Sequence, residues 1–214
     1  MSPGPTFDRV YLALKDQLMS GRFGPGEHLE PVAIGHDLNA SITPVRDALH
    51  RLVGERMVEA PRHNGFTVPS PTEAELRDLY AWNSELLSLA LRGLPSRPRR
   101  PGQERSAQPL SAADLQSWST ADLFRIFVRR QGNPELEAAV ENLSDRLAPL
   151  RLAERQVFAD FDDELLRLKS LVANADANLL RRELLAYHRR RQKCVPELLL
   201  GWRHLAAAAQ TTTI

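Results

Sequence analysis

The chain has 214 residues, of which 43% are hydrophobic, 26% charged and 6% aromatic, and its formal net charge is +1. That length and apolar content support one or two folded domains and exclude wholesale disorder. A lone cysteine, Cys194, excludes an internal disulfide and a cysteine-rich zinc site, and no apolar run approaches the roughly 18 residues of a membrane span. The opening MSPGPTFDRV lacks a basic-then-apolar signal pattern, so a cytoplasmic protein with no membrane partner is expected. Net charge alone gives no reason to expect nucleic acid.

Proline and glycine divide the chain near residue 70, where Val68-Pro69-Ser70-Pro71 closes the first part. Phe7, Val10, Tyr11, Leu14 and Leu18 recur at helical spacing, with Gly21 as the stop. A turn-rich stretch from Arg22 to Glu27 leads to a short helix over Val32 to Leu38. Asn39-Ala40-Ser41 predicts a tight turn. The next helix begins at Ser41 or Ile42, with Pro44 in its first turn, where a missing N–H costs little. Its inner face is Val45, Ala48, Leu49, Leu52 and Val53; its outer face is Ile42, Thr43, Arg46, Asp47 and His50. Met57 to Ala60 and Gly65 to Val68 read as two strands joined by Pro61-Arg62-His63-Asn64, with Asn64-Gly65 as a hairpin signal. Helix, short helix, tight turn, helix and two-stranded wing, in that order, make a winged helix-turn-helix. The second helix of the pair suits the major groove of DNA, where its polar face meets base edges.

The stretches LKDQLMSGRFGPGEHL and SITPVRDALHRLVGERMVEAPRHNGFTV lie within Val10 to Val68. They resemble the DNA-binding domain of the GntR family of bacterial regulators. The likeness rests on Gly21, Pro25, Gly26 and Leu29, on Ser41, Thr43, Pro44, Val45 and Arg46, and on Gly65 and Val68, among others. It implies operator DNA as the partner, with Ser41, Ile42, Thr43, Arg46, His50, Arg62, His63, Asn64 and Gly65 as DNA-contacting residues. For several of these a plainer role stands beside the DNA role: a cap for Thr43, turn geometry for His63, Asn64 and Gly65, a solvated charge for Arg46. Two departures matter. Val32 and Ile42 stand where the family often carries arginines that help hold the operator, leaving only Arg46 of three. Residues 1–69 hold seven Lys and Arg against eight Asp and Glu. Phosphate neutralisation scales with cationic contacts, so weak non-specific binding or an unusual operator is expected, with Ile42 suited to a thymine methyl.

Residues 71–214 read as an all-α bundle. Leu76, Leu79, Tyr80, Leu87, Ala90 and Leu91 mark one helix; LPSRPRRPGQERSAQ, between Gly93 and Pro109, reads as a loop. Leu123, Phe124, Phe127 and Val128 mark the next helix, and Asn133-Pro134 starts one that Pro149 should kink or break. Three more helices follow, over roughly Asp162 to Val172, Ala177 to Lys193 and Pro196 to Ala209. EAELRDLYAWNSELLSLAL after the wing, with Gly132-Asn133-Pro134-Glu135-Leu136, resembles the FCD effector domain of the FadR subfamily, in a shortened form. The resemblance implies a homodimer and a small-molecule effector cavity in the bundle. It also implies a metal site elsewhere in the subfamily, but here Thr120, Phe124 and Leu165 or Leu166 stand at ligand positions and only His188 matches, so no metal and no cofactor are expected. Phe124, Phe127, Leu166 and His188 either line an effector cavity or are ordinary core. The Arg189-Arg190-Arg191 run is expected to be solvated.

No nucleophile elbow, P-loop, HExxH or dinucleotide fingerprint is present, which excludes the common enzyme classes. The expected function is a homodimeric, sequence-specific transcription regulator, most simply a repressor. The alternative is a degenerate relative that works through protein–protein contacts with DNA binding impaired.

Overall fold

Nine helices and two short strands are formed by the described residues, 5–61, 65–92, 118–173 and 177–211 of this computed structural model. They run α1 (Pro5–Met19), β1 (His28–Leu29), α2 (Pro31–Asp37), α3 (Ile42–Gly54), β2 (Phe66–Thr67), α4 (Glu73–Arg92), α5 (Thr120–Arg129), α6 (Pro134–Val157), α7 (Phe161–Ala173), α8 (Ala177–Lys193) and α9 (Val195–Thr211). The mainly helical class with a small antiparallel sheet is the one predicted. The proline- and arginine-rich loop after Gly93 lies outside the described residues. Among the described residues, no helix is long and apolar enough to cross a membrane.

The residues group into two compact units that are not consecutive along the chain. Unit one comprises Met1–Ala74, Asp145–Val157 and Pro196–Ile214; unit two comprises Glu75–Ser144 and Phe158–Val195. A division at residue 70 follows the end of the wing. Compactness adds two later helical segments to the first unit, which periodicity cannot foretell because it identifies a buried face and not its partner.

In unit one, α1 packs on α3, with Val10, Leu14 and Leu18 buried and Val45, Ala48, Leu49 and Leu52 buried opposite them. Gly21 ends α1 in the left-handed region, at φ +71°, and the Arg22 N–H donates back to the Gln17 carbonyl at 3.2 Å. Between α2 and α3 the chain turns so closely that a Cβ on Gly35 would stand 2.8 Å from the Ala40 carbonyl oxygen. The Ala40 N–H donates to the Gly35 carbonyl, also at 2.8 Å. Only glycine admits that approach.

The wing differs from the expected hairpin. β2 pairs antiparallel with β1, His28 opposite Thr67 and Leu29 opposite Phe66. The segment Met57 to Ala60 contributes a single bridge, in which Glu59 and Thr67 exchange N–H···O bonds of 2.8 and 2.9 Å. His28-Leu29 is too short to show alternation and sits among Gly and Pro turn residues, so it reads as loop.

α6 runs through Pro149 as one helix, so of the expected kink or break the break does not occur. The proline removes the N–H that the Asp145 carbonyl would otherwise accept and sets its ring against that carbonyl, and the remaining hydrogen bonds carry the helix past it. The end of α6 and α9 meet at Gly201, where a Cβ would lie 2.7 Å from the Ala153 Cβ. Trp202 Nε1 donates to the Phe23 carbonyl at 3.3 Å, tying α9 to the loop before β1.

Unit two holds α4, α5, the first half of α6, α7 and α8. A capping box starts α5, the Ser119 hydroxyl accepting from the Asp122 N–H and the Asp122 carboxylate accepting from the Ser119 N–H. The Asn133 side-chain oxygen accepts from the Glu135 and Leu136 N–H groups at 3.1 and 3.2 Å, the predicted start of α6. Leu76, Leu87, Leu123, Phe124, Phe127, Leu143, Leu168 and Leu184 form the core.

Candidate nucleic-acid interface

α3 is amphipathic as its sequence requires. Val45, Ala48, Leu49 and Leu52 face the core, and Ile42, Thr43, Arg46, Asp47 and His50 are all exposed. Ser41 precedes the helix in extended conformation, and its side chain makes no cap hydrogen bond. Its hydroxyl and the first-turn N–H groups are therefore available at the positive end of the helix dipole. The His50 ring stands edge-on to Phe66 of β2, with centroids 5.0 Å apart, so it braces the wing against α3 while remaining exposed. Gly65 takes φ +68°, a conformation glycine adopts freely. Arg62, His63 and Asn64 lie outside the described residues.

Most described cations before residue 70 have partners within the chain. Arg9 donates to the Leu38 and Asn39 carbonyls at 2.7 and 3.2 Å, closing the end of α2. Arg22 pairs with Asp37 at 2.7 Å. Arg51 pairs with Glu55 at 3.3 Å and lies 3.9 Å from the centre of the Tyr11 ring. Lys15 bonds Glu55 at 3.0 Å and Asp145 at 2.7 Å. Among the described residues before residue 70, Arg46 and Arg56 alone among the cations have neither an anionic nor a carbonyl partner. Of these two, only Arg46 lies on α3.

Beside Arg46 lies an open groove of about 310 Å3, where β1, α2, α3 and β2 converge. Pro31, Val32, Ile42 and Phe66 supply apolar lining, with Glu30 and Arg46 as its charged members. Val32 and Ile42 are large apolar side chains 64% and 46% exposed. The sequence reading noted both positions as departures, but it did not place Val32, Glu30 and Ile42 in one depression, since they belong to separate elements.

Lys15, Glu55, Tyr11 and Asp145 form a polar cluster that was not anticipated. The Tyr11 hydroxyl donates to Glu55 at 2.7 Å. Burial alone would push the Glu55 carboxyl up, but the Tyr11 hydroxyl and the Lys15 ammonium hold it below its ordinary value. Burial likewise works against the Lys15 charge, and Asp145 and Glu55 more than reverse that, holding it above its ordinary value. The cluster joins α1, the end of α3 and α6 within unit one.

Of the residues considered for an effector or metal, Phe124, Phe127 and His188 are buried together in unit two. His188 Nδ1 lies 2.7 Å from the Leu184 carbonyl, so it carries the proton and donates. Nε2 then accepts from Asn83 Nδ2 at 3.2 Å. The ring stacks on Phe124, centroids 5.8 Å apart. Leu166 is 59% exposed, which corrects its place among cavity-lining residues; Leu165, next in the helix, faces inward instead. The arginine run is not simply solvated. Arg190 pairs with Asp160, and Arg191, fully buried, reaches Glu164 at 2.6 Å and lies 3.5 Å from the Tyr187 ring centre. No group of three or more His, Cys, Asp or Glu placed to hold a metal ion occurs among the described residues.

Residues 6–68 match the model of the bacterial regulatory proteins of the gntR family. That match covers 63 of the 214 residues, all in the winged part of the chain. The chain is also similar to the HTH-type transcriptional repressor GlaR of Escherichia coli, 32% identical over 111 residues, which are 50% of this chain and 47% of that protein. It is similar to the HTH-type transcriptional regulator McbR of Escherichia coli, 30% identical over 145 residues, 64% of this chain and 66% of that protein. The chain spans 40% to 66% of the length of the curated relatives it matches. Its fold is that of a GntR transcriptional regulator from Rhodococcus sp. RHA1, with a TM-score of 0.68 at 17% identity over 88% of this chain and 96% of the other. The family matched over residues 6–68 is one of bacterial regulatory proteins, and both relatives are HTH-type transcription regulators.

Proposed function

We propose that this chain regulates transcription by binding double-stranded operator DNA as a homodimer, through the outward face of α3. The observation that carries this reading is Arg46, a cation without a partner among the described residues, set one turn into a helix whose outer face is exposed and polar. A guanidinium in that place donates to a phosphate or to the acceptor edge of guanine. Ser41, Thr43 and Gly65, with Arg62, His63 and Asn64, are read as the further DNA-contacting residues. Two copies reading a two-fold symmetric site supply the affinity and specificity that one short helix lacks. The exposed Trp82 and Leu89, seven residues apart on α4, are the apolar surface offered for dimerisation.

Repression is the favoured direction, because the similar GlaR is itself a transcriptional repressor. The helical unit is read as a shortened FCD-like domain of the FadR subfamily, with any effector held near Phe124, Phe127 and His188. A second reading, a regulator that acts through protein contacts alone, draws on one observation. Four of the six described cations before residue 70 already have partners within the chain.

Selection from a random duplex pool with the full chain at low salt separates the two. Enrichment of a two-fold symmetric motif supports DNA reading. Failure to enrich any sequence, by a chain that remains folded and dimeric, supports the second reading.

A further inference from the structure

We infer that the groove between Val32 and Ile42 reads the 5-methyl group of thymine. The inference rests on the DNA-binding reading above and adds which base the surface selects. Four observations support it. The groove opens beside Arg46, on the same exposed end of α3. Its two exposed large apolar side chains, Val32 and Ile42, are branched hydrocarbons that leave 64% and 46% of their surface open to solvent. The Glu30 carboxylate on the Val32 side of the lining disfavours a phosphate there and leaves the anionic contact to Arg46. Finally, the thymine methyl is the one apolar group that a base pair shows in the major groove.

The arrangement divides the work between two neighbouring side chains. Arg46 anchors through charge, to a phosphate or a guanine edge. Val32 and Ile42, approaching from two different helices, enclose a methyl between them. Arginine at either position would add phosphate affinity and little preference for thymine; the aliphatic pair gives up that affinity for a contact that only thymine offers. Arg46 then holds the register in which the methyl enters the groove.

The test uses the full chain and the duplex enriched from the random pool. Each thymine in turn is replaced by deoxyuridine, which deletes only the methyl. One buried methyl contributes about 0.8 kcal/mol, so at least one position per half-site is expected to lose about four-fold in affinity. Ile42→Ala and Val32→Ala, both at exposed positions, should keep the circular dichroism of the parent, weaken binding to the thymine duplex, and bind thymine and deoxyuridine duplexes alike. If every deoxyuridine duplex binds as tightly as its parent, the methyl assignment is overturned while DNA recognition stands. If discrimination survives in both alanine variants, a methyl is read elsewhere and the groove assignment is overturned. If no duplex is enriched at all, DNA recognition fails and this inference fails with it.

Discussion

Arg46 and Gly35 show how much rests on single residues. Removing the Arg46 guanidinium deletes a charge-assisted hydrogen bond worth about 1.5–3 kcal/mol, so Arg46→Ala should weaken duplex binding by about 10- to 100-fold. Fluorescence anisotropy on a labelled duplex checks this, with unchanged thermal unfolding as the control. Gly35→Ala acts on the fold instead. The added Cβ would meet the Ala40 carbonyl oxygen at 2.8 Å, and neither backbone has room to move without opening the turn between α2 and α3. A loss of about 1–3 kcal/mol is expected, read as a lower urea midpoint with an unchanged slope. Ile42→Arg tests the departure from the resemblance: one more cation on the proposed DNA-facing surface should raise affinity and steepen the salt dependence by about 0.9 per copy.

Among the elements, the cluster of Lys15, Glu55, Tyr11 and Asp145 fixes α1, the end of α3 and α6 to one another. Lys15→Met leaves two carboxylates facing each other without their shared ammonium. A loss of about 1–2 kcal/mol is expected, discounted for the solvent that still reaches the group. The pH dependence follows from the directions of the shifts. Glu55 titrates lower in the folded chain than unfolded, so its contribution is complete above the ordinary carboxylate value of about 4.3 and is lost as pH falls through the lower, folded value. Lys15 titrates higher when folded, so its contribution is complete below about 10.4 and fades as pH rises through the folded value. Urea unfolding followed from pH 7 to pH 3 should show the parent losing stability more steeply than Lys15→Met.

This scale also marks where sequence reasoning stopped. Every described helix was legible, because each has its own apolar stripe and end signals such as Gly21 and Asn133. The partners of those helices were not. Nothing local to Asp145, Gly201 or Trp202 says that they join the winged unit near Lys15 and Phe23. β1 was missed for the related reason that a two-residue strand is defined by its pairing with Phe66 and Thr67, not by any pattern of its own. At the candidate site, Ile42, Thr43, Arg46 and His50 were legible from helical spacing alone, and the structure exposes all four. The groove was not, since Glu30, Val32 and Ile42 come together only through the fold.

For the whole molecule, net charge proves a poor guide to function. The overall +1 conceals a first domain near −1, whose cations are mostly spent on internal partners. In the proposed reading, two copies together supply the DNA contacts that one such domain lacks. Sedimentation equilibrium of the full chain should give a dimer, and Leu89→Glu should shift it toward monomer while preserving the helical circular dichroism; a monomeric parent would contradict this. The most direct test of the central claim, that α3 grips DNA through Arg46, is the salt dependence of binding to one enriched duplex by the parent and by Arg46→Ala. Loss of a phosphate contact should lower the slope of log K against log salt by about 0.9 per copy, and loss of a guanine contact should instead reduce discrimination at one base pair. A variant that matches the parent in affinity, slope and base preference would contradict the account.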